Sequence, residues 1–185
     1  NPALEKDIVP IIAGFAGRSE GGKVTILGRG GTDDTAVNVA YGLGVKRTIK
    51  YVMEEGIMSI DPKFLKDLKE KHPDIMAQFF DLPEPKIIPY LSYVEASELL
   101  REGRTKVVHY KVLDPLMKGN IELQIKNYYD EESTGTIISK VEEAFFHDHE
   151  PRPKAISYQR NLAGVKFLPS QSATPTETFG KVFSK

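Results

Sequence analysis

Short apolar or alternating runs along the chain predict β-strands. The first of them, residues 8–13, has the continuous apolar character of a central strand. The next two runs flank Glu20-Gly21-Gly22 and predict a β-hairpin over residues 15–19 and 23–27. Later runs predict further strands at 48–53, 121–126 and 136–139.

A helix is predicted directly after the glycine-rich segment 27–35. The apolar positions between residues 36 and 43 recur three and four apart, Thr32 is the expected N-cap, and Gly44 lies just past the expected end. Because this helix lies between two predicted strands, the segment has the order of an α/β unit that builds parallel sheets.

The other helical patterns are shorter. A run rich in lysine and glutamate at 63–71 predicts a helix with an exposed face, and the stretch after it, up to residue 92, is punctuated by prolines and carries little strand signal. We predict short helices at 74–80, 93–101 and 106–118.

Residues 142–153 form a charged connector with two prolines, and we predict a domain boundary there. His147 and His149 lie in this connector, but no third ligand is near them in sequence, so a solvated linker is favoured over a metal site. Residues 154–185 are predicted to begin a second domain, since a unit of that length is too small to be stable alone.

Composition narrows the classes of partner. The chain has 185 residues, of which 40% are hydrophobic, enough for a real core. Its 25 basic and 26 acidic residues are well mixed, so it carries no electrostatic footprint for nucleic acid or an anionic membrane. It has no cysteine, which excludes thiol catalysis and thiolate metal sites. The longest apolar stretch, 8–16, is too short to span a bilayer, and the N-terminus does not have the pattern of a signal peptide.

The glycine-rich segment carries the clearest candidate chemistry. Its three glycines permit positive φ angles and close backbone approach, while the amides of the helix that follows favour an anion. Arg29 and Asp33 stand at the rim of this turn. The pattern predicts a phosphate or carboxylate pocket. Glycine turns without a ligand are also common, and the favourable interaction of a negative charge with the helix dipole would alone explain Asp33 and Asp34 at a helix N-terminus.

With these elements in place, a set of ordered motifs resembles the aspartate kinases. The motifs follow one another with the approximate spacing of that family, and they are Gly14-Phe15-Ala16-Gly17, the turn 27–35, Gly56-Ile57, Asp61-Pro62, the runs 92–99 and 106–109, Lys126-Asn127 and Gly135-Thr136. The tail from Ala155 is similar to the start of the ACT regulatory domain that follows the kinase domain in that family.

The resemblance implies an α/β fold, part of a three-layer αβα amino-acid-kinase sandwich with a mostly parallel sheet, followed by an incomplete ferredoxin-like ACT unit. Residues 1–141 would be the C-terminal, nucleotide-binding part of the kinase domain, 142–153 a linker and 154–185 the start of the regulatory domain. The implied reaction transfers the γ-phosphoryl group of MgATP to the β-carboxylate of aspartate, the first step in lysine, threonine and methionine biosynthesis, in the cytoplasm.

The resemblance also implies roles for individual residues. Phe15, Arg29, Thr32 and Asp33 match positions that line the amino-acid site, with Arg29 suited to a substrate carboxylate and Asp33 to the substrate ammonium or to organising the catalytic lysine. Asp33 is therefore the expected catalytic residue. The expected nucleotide-binding positions are Gly30, Gly31, Val52, Met53, Met58, Lys63, Lys106 and Val107. ATP and magnesium are the implied cofactors, and the implied partners are an amino-acid effector at the ACT domain and further copies of the chain.

Several positions depart from the family pattern. Val52-Met53 stand where the family has Thr-Asp, Met58 replaces a tyrosine, and Lys63 replaces the arginine of Asp-Pro-Arg. The family's Lys-Phe-Gly-Gly-Thr-Ser element, whose lysine contacts the transferring phosphate, has no counterpart in residues 1–185, so we expect no turnover from these residues alone. Two main functions remain open: part of an aspartate kinase, favoured by the intact glycine turn, or a non-catalytic aspartokinase-like amino-acid-binding protein, favoured by Val52-Met53. A third, weaker alternative is an amino-acid-kinase relative with a different acceptor, against which the runs 93–98 and 106–109 favour aspartate kinase.

Overall fold

The structure is a computed structural model that describes residues 9–71, 73–76, 84–101, 107–141 and 154–155. Its strands are β1 (Ala16–Arg18), β2 (Val24–Ile26), β3 (Arg47–Val52), β4 (Tyr90–Ser92), β5 (Glu122–Asn127) and β6 (Thr136–Ser139). Its helices are α1 (Gly31–Leu43), α2 (Pro62–Lys71), α3 (Pro73–Met76), α4 (Tyr93–Leu100) and α5 (Leu113–Gly119), and a 3₁₀ turn at Tyr110–Val112 leads into α5.

The main sheet has four strands in the order β3-β5-β6-β4. β3 pairs parallel to β5, β4 pairs parallel to β6, and the central pair β5 and β6 is antiparallel. The prediction of a mixed α/β fold with a mostly parallel sheet is confirmed. In this topology the carboxyl ends of β3 and β5 lie at the same edge, beside the start of β6.

The core lies between one face of this sheet and the helices α1, α4 and α5, which also pack on one another. Leu91, Leu123, Ile125 and Ile138 from three strands are buried there. Side chains alternate across β3, so Ile49 and Tyr51 point away from this core and are about half exposed.

Most predicted elements are present. The hairpin forms from β1 and β2, α1 ends at Gly44 in a left-handed conformation, and β3 and β6 lie within one residue of their predicted positions. The predicted charged helix is α2 and the predicted helix at 93–101 is α4.

Near the N-terminus three predictions are wrong. Residues 9–13 form no strand but an irregular segment in which Val9 and Ile11 are almost fully exposed, since no neighbouring strand among the described residues pairs with them. Thr32 is not the N-cap of α1, because Gly30 occupies that position in a left-handed conformation. Within the described part of the chain, β2 pairs with β1 and not with the main sheet, so the unit around α1 does not contribute two parallel strands.

Two further corrections lie in the second half. β4 falls in the proline-punctuated stretch that carries little strand signal, and its residues are held by pairing with β6. The helix predicted at 106–118 is shorter, because residues 107–109 are not helical and the 3₁₀ turn precedes α5. Of the helix predicted at 74–80, the structure describes 74–76 as part of α3. The connector 142–153 with its two histidines, and residues 156–185, lie outside the described residues.

A capping box fixes the start of α4. The Ser92 hydroxyl accepts a hydrogen bond from the Glu95 backbone N–H at 3.2 Å, and the Ser92 N–H donates to Glu95 Oε2 at 2.7 Å. Glu95 Oε1 lies 3.0 Å from Lys154 Nζ, so an ion pair holds the segment 154–155 against this helix. Burial alone would raise the pKa of the Glu95 carboxyl, but the hydrogen bonds from Ser92 and the Lys154 ammonium together lower its pKa.

This lowered pKa predicts a dependence of stability on pH. A carboxyl whose pKa is lower in the folded state stabilises the protein above its unfolded pKa, and that stabilisation is lost as the pH falls through the folded value. Below pH 4.5, the ordinary pKa of a glutamate side chain, we therefore expect the wild type to lose more stability than Glu95→Gln does. Urea midpoints of both proteins at pH 7 and at successively lower pH measure this, and parallel losses would contradict it.

Candidate functional site

The glycine turn needs glycine for steric reasons. Gly28 and Gly30 have φ angles of 76° and 79°, in the left-handed region that favours glycine. A Cβ on Gly30 would lie 2.4 Å from Cγ of His109, so this imidazole packs directly on the turn. No side chain caps this end of α1, and among the described residues the amides of Thr32 and Asp33 have no acceptor. The turn therefore offers backbone donors to an anion.

Phe15 joins the hairpin to the start of α1. Its N–H donates to the Thr35 hydroxyl at 3.2 Å, and the same hydroxyl donates to the Gly31 carbonyl at 2.8 Å. Its φ of 74° places a non-glycine residue in the left-handed region, which costs of order 1 to 3 kcal/mol. The residue is 43% exposed, and its ring approaches Gly31, where a Cβ would lie 3.2 Å from the ring Cδ2. The strained residue thus lies beside the turn.

Asp33 forms an ion pair that the sequence did not predict. Its Oδ2 lies 2.6 Å from Nζ of Lys50 on β3, and both side chains are only about a quarter exposed. This contact ties the first turn of α1 to the main sheet near the carboxyl end of β3. Asp33 is therefore already neutralised by a cation of this chain, which favours an organising role over direct contact with a substrate ammonium.

Arg29 and Thr32 remain exposed at the rim. Among the described residues, Arg29 makes no hydrogen bond or ion pair, so its guanidinium is available to a carboxylate. Thr32 lies against Gly14, where a Cβ would come within 3.1 Å of its Cγ2. The fold thus brings five predicted site residues close together, namely Phe15, Gly30, Gly31, Thr32 and Asp33. Arg29 directly precedes Gly30 in the chain.

The predicted nucleotide positions fall in a second group around the end of β3. Val52 packs partly against the core, and its carbonyl accepts from Tyr128 N–H at 2.8 Å. Met53 is 71% exposed, and its carbonyl accepts from Asn127 Nδ2 at 3.3 Å. Met58 is half-buried in an antiparallel bridge with Ile87. Neither Val52 nor Met53 offers a polar side chain at this edge.

The remaining predicted positions lie elsewhere. Lys63 is exposed in the first turn of α2, where its N–H donates to Asp61 Oδ1 at 2.8 Å, and it makes no hydrogen bond to the glycine turn. Val107 is partly buried against the core. Lys106 lies outside the described residues.

Sequence reasoning assigned no role to three residues that shape the site. Lys50 had a signal in the sequence, because it lies inside the strand pattern 48–53 and a charge on the inner face of a strand needs a partner. His109 was recognised only as part of a motif, and its packing on Gly30 had no signal in sequence. Asn127 is buried and bonds to both Met53 and Glu55, which a polar residue at the end of an alternating strand can indicate.

Comparison with known proteins identifies the family. The profile of the Amino acid kinase family matches residues 1–127, well over half of the chain. The chain belongs to the amino acid kinase family.

Within this family, the chain is similar to aspartokinases. It is 34% identical over 133 residues to aspartokinase 1 of Arabidopsis thaliana, a match covering 71% of this chain and 20% of that protein. It is similar in structure to E. coli aspartokinase III in complex with aspartate and ADP, with a TM-score of 0.60 and 27% identity over 75% of this chain and 27% of that one. A second structure of that enzyme, with lysine and aspartate, has a TM-score of 0.51 and 28% identity, and the match covers 68% of this chain and 24% of that one.

The chain therefore spans only about a fifth to just over a quarter of the length of these relatives. None of the helices formed by the described residues is long and apolar enough to cross a bilayer.

Proposed function

We propose that this chain is part of an aspartate kinase, whose complete form transfers the γ-phosphoryl group of ATP to the β-carboxylate of aspartate. A carboxylate oxygen of aspartate bonds to the γ-phosphorus, the bond to the β,γ-bridging oxygen breaks, and ADP leaves with that electron pair. Such chemistry depends mainly on positioning and on neutralising charge. The observation that carries the proposal is the glycine turn, where Arg29, which has no partner among the described residues, stands just before the first amides of α1.

Each residue of the turn has a separate role in this function. Arg29 binds a substrate carboxylate through its planar fork of donors. The amides of Thr32 and Asp33 hold negative charge at the start of α1. Asp33 acts by organising Lys50, whose ammonium it holds at 2.6 Å, and Phe15 forms the wall beside Gly31.

Magnesium fits this arrangement as an ion carried by the nucleotide. No group of three or more histidine or acidic side chains among the described residues is close enough to enclose a metal. Magnesium in kinases is held by one or two carboxylates together with phosphate oxygens, so no protein cage is required. When bound, it neutralises charge on the phosphates. Asp34, in the first turn of α1, would supply such a carboxylate.

The rest of the proposal extends the likeness to the aspartokinases. E. coli aspartokinase III has been crystallised with lysine, which supports an amino-acid effector for the complete protein to which this chain belongs. We assign residues 1–141 to the kinase domain, 142–153 to a linker and 154–185 to the start of an ACT-type regulatory domain. The complete protein would act as a homo-oligomer in the cytoplasm, at the start of lysine, threonine and methionine biosynthesis.

A second function is favoured by one observation. Val52 and Met53 give no polar side chain to a nucleotide at the end of β3, and loss of such a contact commonly costs about 1 to 3 kcal/mol. A non-catalytic protein would keep the amino-acid pocket and lose nucleotide binding.

Calorimetry separates the two functions. The complete protein is titrated with aspartate, with glutamate as the matched longer acid, and separately with MgADP. An aspartate kinase binds aspartate in preference to glutamate and also binds MgADP. A non-catalytic protein binds aspartate but not MgADP. Equal binding of the two acids, or binding of neither, would contradict the assignment of the glycine turn to aspartate.

A further inference from the structure

Three exposed tyrosines form a cluster at the carboxyl edge of β3 and β5. The ring centroids of Tyr51 and Tyr128 are 6.5 Å apart, those of Tyr128 and Tyr129 are 5.2 Å apart, and both ring pairs meet edge to face. The three residues are 55%, 66% and 73% exposed. An edge-to-face contact covers at most one face of one ring, so at this exposure the cluster keeps aromatic surface on which a flat ligand can stack.

The backbone beneath this tyrosine cluster is held in place. Tyr128 N–H donates to the Val52 carbonyl at 2.8 Å, which continues the pairing of β3 with β5 past the end of the strands. The buried Asn127 accepts from Tyr129 N–H at 2.7 Å and donates to the Met53 carbonyl on the neighbouring loop. One buried amide thus links the loop that carries Tyr128 and Tyr129 to the loop that follows Tyr51 and β3.

The position of the cluster relates it to the glycine turn. Tyr51 follows Lys50 on β3, and successive side chains of a strand point to opposite faces. The pair Asp33–Lys50 and the tyrosine cluster therefore flank the same end of β3 from its two faces. Ligands of open α/β sheets bind at the carboxyl ends of parallel strands, which is this edge.

We propose that Tyr51, Tyr128 and Tyr129 are the stacking site for the nucleobase of the phosphoryl donor. The base is held by its π-face, because the adjoining Val52 and Met53 have no side-chain group to hydrogen-bond its edge. Stacking on aromatic side chains tolerates any base, since every base has a π-face. The site consequently takes adenine and guanine nucleotides with similar affinity. This inference rests on the proposed kinase function and adds the base subsite and its specificity to it.

The test is calorimetric titration of the complete protein with MgADP and with MgGDP. For Tyr128→Ala we expect both nucleotides to bind about 5- to 150-fold more weakly, the loss that follows from removing one stacking ring. Tyr128→Phe keeps the ring and should bind as the wild type does. Tyr41→Ala is the matched control, because Tyr41 is 47% exposed on α1, away from the cluster, and should leave both affinities unchanged.

Tyr129→Ala, at the most exposed of the three positions, gives the same test if Tyr128→Ala does not fold. If the wild type binds MgADP and neither Tyr128→Ala nor Tyr129→Ala weakens that binding, the stacking site is overturned while the kinase function stands. Such a result together with a lower melting temperature would mean that the cluster packs against protein instead. A wild type that binds MgADP over 100-fold more tightly than MgGDP would also overturn it. Failure of the wild type to bind either nucleotide would overturn the kinase function itself.

Discussion

Arg29→Ala in the complete protein should lower kcat/KM for aspartate by about 10- to 150-fold. A hydrogen bond to a charged group contributes about 1.5 to 3 kcal/mol, and Arg29 is free of other partners among the described residues, so its removal takes a substrate contact without releasing an internal one. The loss should fall mainly on KM for aspartate and leave KM for ATP nearly unchanged. Steady-state kinetics with each substrate varied in turn measure this.

Two further variants sharpen this prediction. Arg29→Lys keeps the charge but loses the planar fork, so it should recover only part of the activity. Arg18→Ala is the matched control, since Arg18 is an exposed arginine of the neighbouring hairpin whose Nε bonds to the Gly22 carbonyl at 3.0 Å. Equal effects of Arg18→Ala and Arg29→Ala would show that the loss reflects general charge and not a bound carboxylate.

Gly135→Ala should destabilise the protein by about 3 kcal/mol or more. A Cβ at this position would lie 1.9 Å from the Ile125 carbonyl oxygen, and Gly135 has a φ of 65°. The clashing atom belongs to the backbone of β5, so no side-chain rotation relieves it. The strands β5 and β6 would have to separate where Ile125 pairs with Thr136. Urea denaturation followed by circular dichroism gives the change in the free energy of unfolding.

Gly42→Ala provides the opposite expectation. Gly42 lies in α1, and a Cβ there meets no atom within 4 Å. Alanine in a helix is favoured over glycine by roughly 0.5 to 1 kcal/mol, so this variant should be slightly more stable than the wild type. Similar destabilisation by both substitutions would contradict the close approach of Gly135 to the β5 backbone.

The local pattern of the chain predicted most helices and strands, because spacing and turn residues act over a few neighbours. α1 with its glycine stop, the hairpin and α4 were all found in this way. The prediction for 9–13 was wrong because an apolar run becomes a strand only when another strand pairs with it. The opposite error, at β4, has the same cause, since three residues without a strong pattern are held there by β6.

For the site, the sequence predicted the glycine turn and its rim, since glycines and their spacing act locally. It did not predict that Lys50 neutralises Asp33, because that contact joins residues 17 apart across two elements. Nor did it predict the tyrosine cluster, which forms only when β3 and β5 pair in parallel from distant parts of the chain. Pairing between remote segments decides both features, and no local pattern encodes it.

If the glycine turn serves phosphoryl transfer from ATP to aspartate, the complete protein must form an acyl phosphate. An assay with MgATP and aspartate in hydroxylamine detects this product, because hydroxylamine traps an acyl phosphate as the hydroxamate. We expect aspartyl hydroxamate that depends on both substrates and falls sharply in Arg29→Ala. A complete protein that binds aspartate and MgADP yet forms no hydroxamate, or forms it equally well without Arg29, would refute this role of the turn.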